Sequence, residues 1–164
     1  MQILLVRHAK AVDTRSAQTD YERWLTKDGR ETMSLVGEAL VKWELRYSRI
    51  YTSPLVRAVQ TAELLAASQP SFNGPVEVLS ALSTEEGTMA QVLEPLEDAE
   101  DDELIVMVSH MPKIGLLAAH LGRLTTTPSF QPASACLLSV EAGPEANGCF
   151  QWMLDPETLE RKRA

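Results

Sequence analysis

Two histidines in this sequence directly follow runs of apolar residues. Residues 3–6 are Ile, Leu, Leu and Val and lead into Arg7 and His8, and the apolar run 104–108 is followed, after one serine, by His110. Unbroken apolar runs favour strands that are buried on both faces, as in a parallel sheet. Ligands of such sheets bind at the carboxyl ends of the strands, so we expect both imidazoles at one edge, where they could act on a substrate. The alternative is a pair of unrelated structural histidines.

Arg57 lies in the first turn of a predicted helix. Ser53 and Pro54 are residue types preferred at the N-cap and first position of a helix, which we expect to end near Ser68. The helix dipole disfavours a cation in the first turn, but an anion bound there would reverse this preference. Arg57 and Arg7 could then hold one phosphoryl group through paired hydrogen bonds. The alternative for Arg57 is an ordinary surface position.

These four side chains together suit phosphoryl transfer. A neutral imidazole can attack phosphorus in line and become phosphorylated, while the other groups stabilise the equatorial oxygens, where the charge develops. We expect Arg7, Arg57 and a protonated His110 to supply the positive charge, so that neither a metal nor another cofactor is required. The third histidine, His120, lies within a helical apolar stretch and is interpreted as structural.

The predicted strands and helices alternate along the chain, which is typical of an α/β protein. Strands are predicted at 3–6, 49–52, 76–79 and 104–108, with a C-terminal hairpin at 135–140 and 149–154. Helices are predicted at 26–45 with Thr26 as the N-cap, and at 53–68, 88–96 and 112–121, and the basic tail 161–163 is interpreted as the end of a frayed helix. We therefore expect a single domain over residues 1–164, a three-layer sandwich with a mainly parallel central sheet flanked by helices.

Composition and charge exclude several classes of protein. The 164 residues are 45% hydrophobic and carry a net charge of −8, so the chain has enough apolar residues for a core but lacks the basic surface of a general nucleic-acid binder. No signal peptide is recognisable and the apolar runs are far shorter than the roughly 20 residues that span a bilayer, so we expect a cytoplasmic protein without membrane association. Cys136 and Cys149 lack metal-ligand spacing; we expect two thiols, or one disulfide if their strands pair.

Three stretches resemble the histidine phosphatase superfamily, also called phosphoglycerate mutase-like. They are Arg-His-Ala at 7–9, Ser-Pro-Leu-Val-Arg-Ala-Val-Gln-Thr-Ala at 53–62 and Ser-His-Met-Pro at 109–112, and the second is highly specific. The short chain, the Arg-Trp-Leu-Thr segment at 23–26 and an Asp-Pro pair at 155–156 resemble the SixA-type phosphohistidine phosphatases in particular. The resemblance covers nearly the whole chain and implies a phosphoglycerate mutase-like fold with a minimal lid insertion.

The resemblance implies roles for the residues of a phosphate pocket. His8 is expected to be the nucleophile that carries the phosphoryl group transiently, and Arg7, Arg57 and His110 are expected to form the rest of the catalytic pocket. Arg23 could bind substrate at the rim of this pocket, or it could anchor its own loop.

A proton donor is the main departure from the superfamily pattern. Larger members carry an acidic residue after the third strand that protonates an alkoxide leaving group, and the corresponding segment here reads Ser-Thr-Glu-Glu-Gly at 83–87. Glu85 or Glu86 could be this general acid, or both could be first-turn charges of the next helix. Without a dedicated acid, cleavage of a phosphohistidine is favoured over cleavage of an ester, because a protonated imidazole leaves readily.

The predicted function is therefore that of a protein phosphohistidine phosphatase acting through a covalent intermediate on His8. The expected partners are histidine-containing phosphotransfer domains of phosphorelays or phosphocarrier proteins of phosphotransferase systems. The enzyme itself is expected to be a monomer. The alternatives are a small-molecule phosphate monoester phosphatase of the same superfamily and a module that binds phosphohistidine without turnover.

Overall fold

The protein forms a seven-stranded mixed sheet. The computed structural model describes residues 1–83, 87–141 and 148–163. The strands are β1 (Gln2–Arg7), β2 (Arg49–Thr52), β3 (Val76–Val78), β4 (Leu104–Ser109), β5 (Ala135–Val140), β6 (Gly148–Asp155) and β7 (Glu160–Lys162). Their order across the sheet is β3-β2-β4-β1-β5-β6-β7. Strands β1 to β4 pair in parallel, and β5 to β7 continue the sheet in antiparallel pairs.

Helices cover both faces of this sheet, because side chains of each buried strand alternate between its two faces. On one face α1 (Lys27–Lys42) and α2 (Val56–Ser68) pack on Leu4 and Val6 of β1. On the other face α3 (Met89–Leu93) and α4 (Lys113–Leu121) pack on Ile3 and Leu5. Two short 3₁₀ turns, Ser80–Leu82 and Glu94–Leu96, flank α3. The three-layer α/β prediction is confirmed, with the parallel strands confined to one half of the mixed sheet.

The predicted start of α2 is wrong by about one half-turn. Ser53 directly follows β2 and continues its pairing with β4, because its N–H donates to Val108 O at 2.9 Å, and the helix begins only at Val56. Its N-cap residue, Leu55, has no capping side chain. The N–H of Val56 donates instead to Tyr21 O at 3.2 Å, so a loop from elsewhere in the chain satisfies the helix terminus. Arg57 remains in the first turn.

The interpretation of the basic tail as a frayed helix is also wrong. Residues Glu160–Lys162 form β7, which pairs antiparallel with β6. The guanidinium of Arg161 lies 4.4 Å from the centre of a Trp43 ring, and Lys162 Nζ lies 2.7 Å from Asp155 Oδ2. Cation–π and ionic contacts therefore hold this segment to the sheet, which the composition of a three-residue basic run could not indicate.

The two cysteines are free thiols, so the disulfide alternative is wrong. Their strands do pair, but Cys136 stands opposite Met153 and Cys149 opposite Ser139. Burial raises the pKa of Cys136 to about 12, and Cys149 is exposed. Among the described residues, no helix is long and apolar enough to cross a membrane.

Candidate active site

The carboxyl ends of β1 and β4 bring His8 and His110 to one edge of the sheet. The parallel register pairs Arg7 with Ser109, so the two histidines are the next residues on adjacent strands. The link continues past the strands, since the N–H of His8 donates to Ser109 O at 2.9 Å. Both side chains are buried, with His8 8% and His110 3% exposed.

The tautomer of His8 follows from its backbone contact. Its Nδ1 lies 2.8 Å from Ala9 O, and because a carbonyl oxygen only accepts, Nδ1 carries the proton. The lone pair is then on Nε2, which accepts a hydrogen bond from Arg57 Nε at 3.3 Å. Burial lowers the pKa of His8 from 6.5 to about 4, and the charges of Arg57 and Arg7 act in the same direction. His8 is therefore a neutral imidazole near pH 7 with its nucleophilic nitrogen towards Arg57.

Two residues of the 53–62 stretch hold the segments around His8. Thr61 Oγ1 accepts from the N–H of Ala9 at 3.1 Å and donates to Arg57 O at 2.7 Å, so one hydroxyl links the end of β1 to α2. Gln60 Oε1 accepts from the N–H of Leu25 at 2.8 Å. The motif was recognisable in the sequence, but neither residue had a predicted role, because these contacts join segments far apart in the chain.

Arg57 forms hydrogen bonds with the loop between β1 and α1. Its Nη1 donates to Asp20 O at 2.6 Å and its Nη2 to Asp20 Oδ2 at 2.8 Å, while its side chain is 7% exposed. Asp20 was not among the predicted site residues. Hydrogen bonds from Arg23 and then Arg57 lower the pKa of the Asp20 carboxyl below its ordinary 3.8, so it is an anion near neutral pH.

Arg23 lies beside Asp20 rather than beside the two histidines. Its Nη1 donates to Asp20 Oδ1 at 2.8 Å and its Nε to Val12 O at 2.7 Å. Both contacts stay within its own loop, as a loop anchor requires, and contact with a substrate stays a prediction.

Arg7 and His110 contribute buried nitrogen atoms without partners. Arg7 Nη1 donates to Phe130 O at 2.6 Å, but its Nε and both ring nitrogens of His110 have no hydrogen-bond partner in the described part of the chain. Such orphaned groups are rare inside proteins, because each loses its contact with water without compensation. The oxygens of a phosphoryl group, held beside His8, could accept from the Nε–H of Arg7 and from one ring N–H of His110.

The protonation of His110 differs from the expectation. Burial, and next the positive charge of Arg57, lower the pKa of His110. A neutral imidazole is therefore its ground state, and an anion bound against it would raise the pKa again by supplying the opposite charge.

The other predicted candidates lie apart from this cluster or outside the description. His120 is exposed in the last turn of α4, and its structural interpretation stays a prediction. Glu85 and Glu86 lie outside the described residues, so their proposed acid role stays a prediction. Lys113 is a cation that the sequence analysis did not select: its charge acts on His110, and its Nζ donates to Gly87 O at 2.9 Å.

The fold and these strand-end residues define a class of phosphoryl-transfer protein, and comparison with known families identifies it. The model of the histidine phosphatase superfamily (branch 1) matches residues 3–84. The chain belongs to this superfamily, as the motifs indicated.

Particular known proteins are similar to most or all of this chain. Phosphohistidine phosphatase SixA of Escherichia coli (strain K12) is 30% identical over 166 residues, which cover 100% of this chain and 99% of that protein. A solved structure of the protein histidine phosphatase SixA complexed with tungstate has a TM-score of 0.85 at 28% identity and covers 98% of this chain and 100% of its own. A mycobacterial glucosyl-3-phosphoglycerate phosphatase has a TM-score of 0.63 at 19% identity, covering 91% and 96%, and shows the fold alone.

Proposed function

We propose that this protein is a phosphohistidine phosphatase that works through a covalent phosphoryl intermediate on His8. The observation that carries the proposal is the state of His8: a neutral imidazole with Nδ1 bound to Ala9 O and the Nε2 lone pair beside Arg57. Whole-length similarity to a phosphohistidine phosphatase supports this substrate over other phosphates.

The first step transfers the phosphoryl group to the enzyme. The Nε2 lone pair of His8 attacks phosphorus in line, forming a new P–N bond as the P–N bond of the substrate breaks. A substrate imidazole that is protonated on its other nitrogen leaves as a neutral imidazole, so no general acid is consumed. Arg7, Arg57 and His110 stabilise the equatorial oxygens, which accept from the otherwise unpartnered Nε–H of Arg7 and from one ring N–H of His110.

The second step returns the enzyme to its starting state. Water attacks phosphorus, the P–Nε2 bond breaks, and both hydrogens of the water leave on the released phosphate. The electrons of the broken bond return to Nε2, while the hydrogen bond from Nδ1 to Ala9 O keeps the ring in the same tautomer throughout. The two arginine guanidinium groups supply positive charge without a metal ion in this proposal.

The substrate that fits best is a phosphohistidine carried by another protein, on a phosphotransfer domain or a phosphotransferase-system phosphocarrier. The loop that holds Arg57 exposes two large side chains, Tyr21 at 50% and Trp24 at 41%. Exposed aromatic groups are typical of surfaces that bind other proteins. We propose that a monomeric enzyme presents this rim to its partner.

The test is phosphate release in the presence of EDTA, measured side by side on a phosphohistidine-bearing phosphotransfer domain and a simple phosphate ester. We expect strong preference for the phosphohistidine and full activity with EDTA. Preference for the ester would favour a small-molecule phosphatase, and Glu85→Gln and Glu86→Gln would then show which carboxyl is the acid. A stable complex without phosphate release would instead favour a binding module.

A further inference from the structure

All three guanidinium nitrogens of Arg57 donate hydrogen bonds within the protein. Nε faces His8 Nε2, and the two terminal nitrogens donate to the backbone oxygen and the carboxylate of Asp20. A second N–H on each terminal nitrogen is left to other acceptors. Asp20 thus takes one side of the guanidinium and leaves the Nε edge facing His8, with the remaining N–H groups of the terminal nitrogens outside the contacts of Asp20.

Asp20 is itself held in place by hydrogen bonds from Arg23. Its Oδ1 accepts from Arg23 Nη1, whose neighbour Nε is fixed on Val12 O, and its backbone oxygen also accepts from the N–H of Arg23 at 3.4 Å. The next residue, Tyr21, accepts the N–H of Val56 at the start of α2. The loop is therefore attached to the same helix that carries Arg57, and the Asp20 carboxylate is fixed at both oxygens.

We propose that Asp20 is a positioning residue, which sets the plane of the Arg57 guanidinium so that its Nε edge faces the phosphoryl group on His8. This inference rests on the proposed function. Orientation rather than charge carries the effect, because the Asp20 side chain is 57% exposed and water screens its field. A long arginine side chain otherwise samples several rotamers, and misplacing it by about 1 Å can cost 10²-fold in rate.

The opposite role for Asp20 makes a different prediction. If the carboxylate competed with phosphate for Arg57, its removal would leave more N–H groups for oxyanions and tighten their binding. If it positions Arg57, its removal loosens the guanidinium and weakens their binding, even though a negative charge has gone. The sign of the change in affinity for an oxyanion therefore separates the two roles.

The experiment compares Asp20→Ala and Asp20→Asn with the wild type and with Asp13→Asn as a matched control. Asp13 lies on the same loop, and the bonds that its Oδ1 accepts from described residues are local, from the N–H of Arg15 and the hydroxyl of Ser16. The readouts are kcat and KM with a phosphohistidine-bearing phosphotransfer domain, and the dissociation constant of inorganic tungstate by calorimetry. Melting curves check that each variant is folded.

We expect Asp20→Ala to lower kcat by about 10²-fold with a smaller change in KM, because orientation matters most in the transition state. Tungstate binding should weaken about tenfold, the scale of one misplaced charge-assisted hydrogen bond. Asp20→Asn, which keeps one acceptor, should fall between Asp20→Ala and the wild type. Asp13→Asn should match the wild type. Tungstate binding by Asp20→Ala that is unchanged or tighter would overturn the proposal.

A double-mutant cycle tests whether Asp20 acts through Arg57. In an Arg57→Ala background, Asp20→Ala should leave tungstate affinity unchanged, since the group to be positioned is gone. An equally large effect in both backgrounds would overturn the proposal. A wild type that binds tungstate but releases no phosphate from phosphohistidine would reject the proposed function instead, and the tungstate affinities would still decide the role of Asp20.

Discussion

The parallel and antiparallel halves of the sheet differ in whether certain polar side chains have partners within the protein. At the ends of β1 and β4, the half-buried Arg7 and the buried His110 have buried nitrogen atoms without a partner among the described residues. In the antiparallel half, Lys162 pairs with Asp155 and the guanidinium of Arg161 lies over the Trp43 ring. These two cations of the antiparallel half have partners, whereas Arg7 and His110 keep buried nitrogens to which a bound anion could give a partner.

This difference indicates where the fold gives up stability for function. A buried polar group without a partner costs about 1–3 kcal/mol, and the candidate site holds several such groups. The apolar residues of β5, among them fully buried Leu138, add core without any such cost. The antiparallel half therefore helps to offset the free-energy cost of these unpartnered groups. Substitutions in the two halves should separate effects on activity from effects on stability.

The largest effect is expected for His8→Ala. Turnover of phosphohistidine should fall about 10⁴-fold or more, because the proposed nucleophile is lost. Acid-labile phosphorylation of the enzyme should disappear with it. His120→Ala, at an exposed histidine of α4, is the control and should keep wild-type activity. Near-normal turnover by His8→Ala would refute the covalent mechanism.

His110→Ala should reduce kcat by about 10²–10³-fold while leaving the fold almost as stable as before. The packing lost with the ring is offset by removing two buried nitrogens without partners, so the free energy of unfolding should change by no more than about 1 kcal/mol. Urea denaturation and steady-state kinetics on one preparation give both values. A loss of stability as large as that of a core truncation would show that His110 is mainly structural.

Leu138→Ala in β5 should show the reverse pattern. The side chain is fully buried, and such a truncation typically lowers the free energy of unfolding by about 2–5 kcal/mol. The value of kcat per folded molecule should stay unchanged, because β5 contributes no residue to the strand-end cluster. A large fall in kcat at temperatures where the variant remains folded would mean that the two halves are not separable.

The smallest effect is expected in the pH dependence of stability. The pKa of His8 is about 4 in the folded protein against 6.5 normally, so between these values the unfolded chain binds more protons. His8 therefore contributes its full stabilisation above pH 6.5 and loses it as the pH falls towards 4, by at most about 3 kcal/mol. The lowered pKa of His110 acts in the same direction.

Urea denaturation of the wild type and His8→Gln at steps between pH 7.5 and pH 4.5 measures this contribution. The wild type should lose more stability than the variant across this window. The carboxyl of Asp20, with its pKa held below 3.8, titrates at lower pH and should affect both proteins alike. Equal slopes for the two proteins would show that His8 is not held neutral by the fold.

Much of the fold was predictable from local patterns. The apolar runs predicted β1 and β4, and the alternation of strands and helices predicted the layers, because burial on both faces of a strand leaves a clear mark on composition. Thr26 was correctly predicted as the N-cap of α1, where its side chain accepts from the N–H of Gly29. Local patterns failed at the start of α2 and in the tail, because there the decisive partners, Tyr21 and Trp43, come from distant segments.

The sequence by itself predicted the class of chemistry, since the Arg-His pair, the 53–62 stretch and His110 are residue types that together suit a phosphate pocket. Only the tertiary structure decided the state of these groups. The tautomer and lowered pKa of His8, the neutral form of His110 and the hold of Asp20 on Arg57 depend on burial and on distances across the fold. The sequence specifies the residue types, whereas the solvation and orientation of these side chains arise only when distant segments pack together.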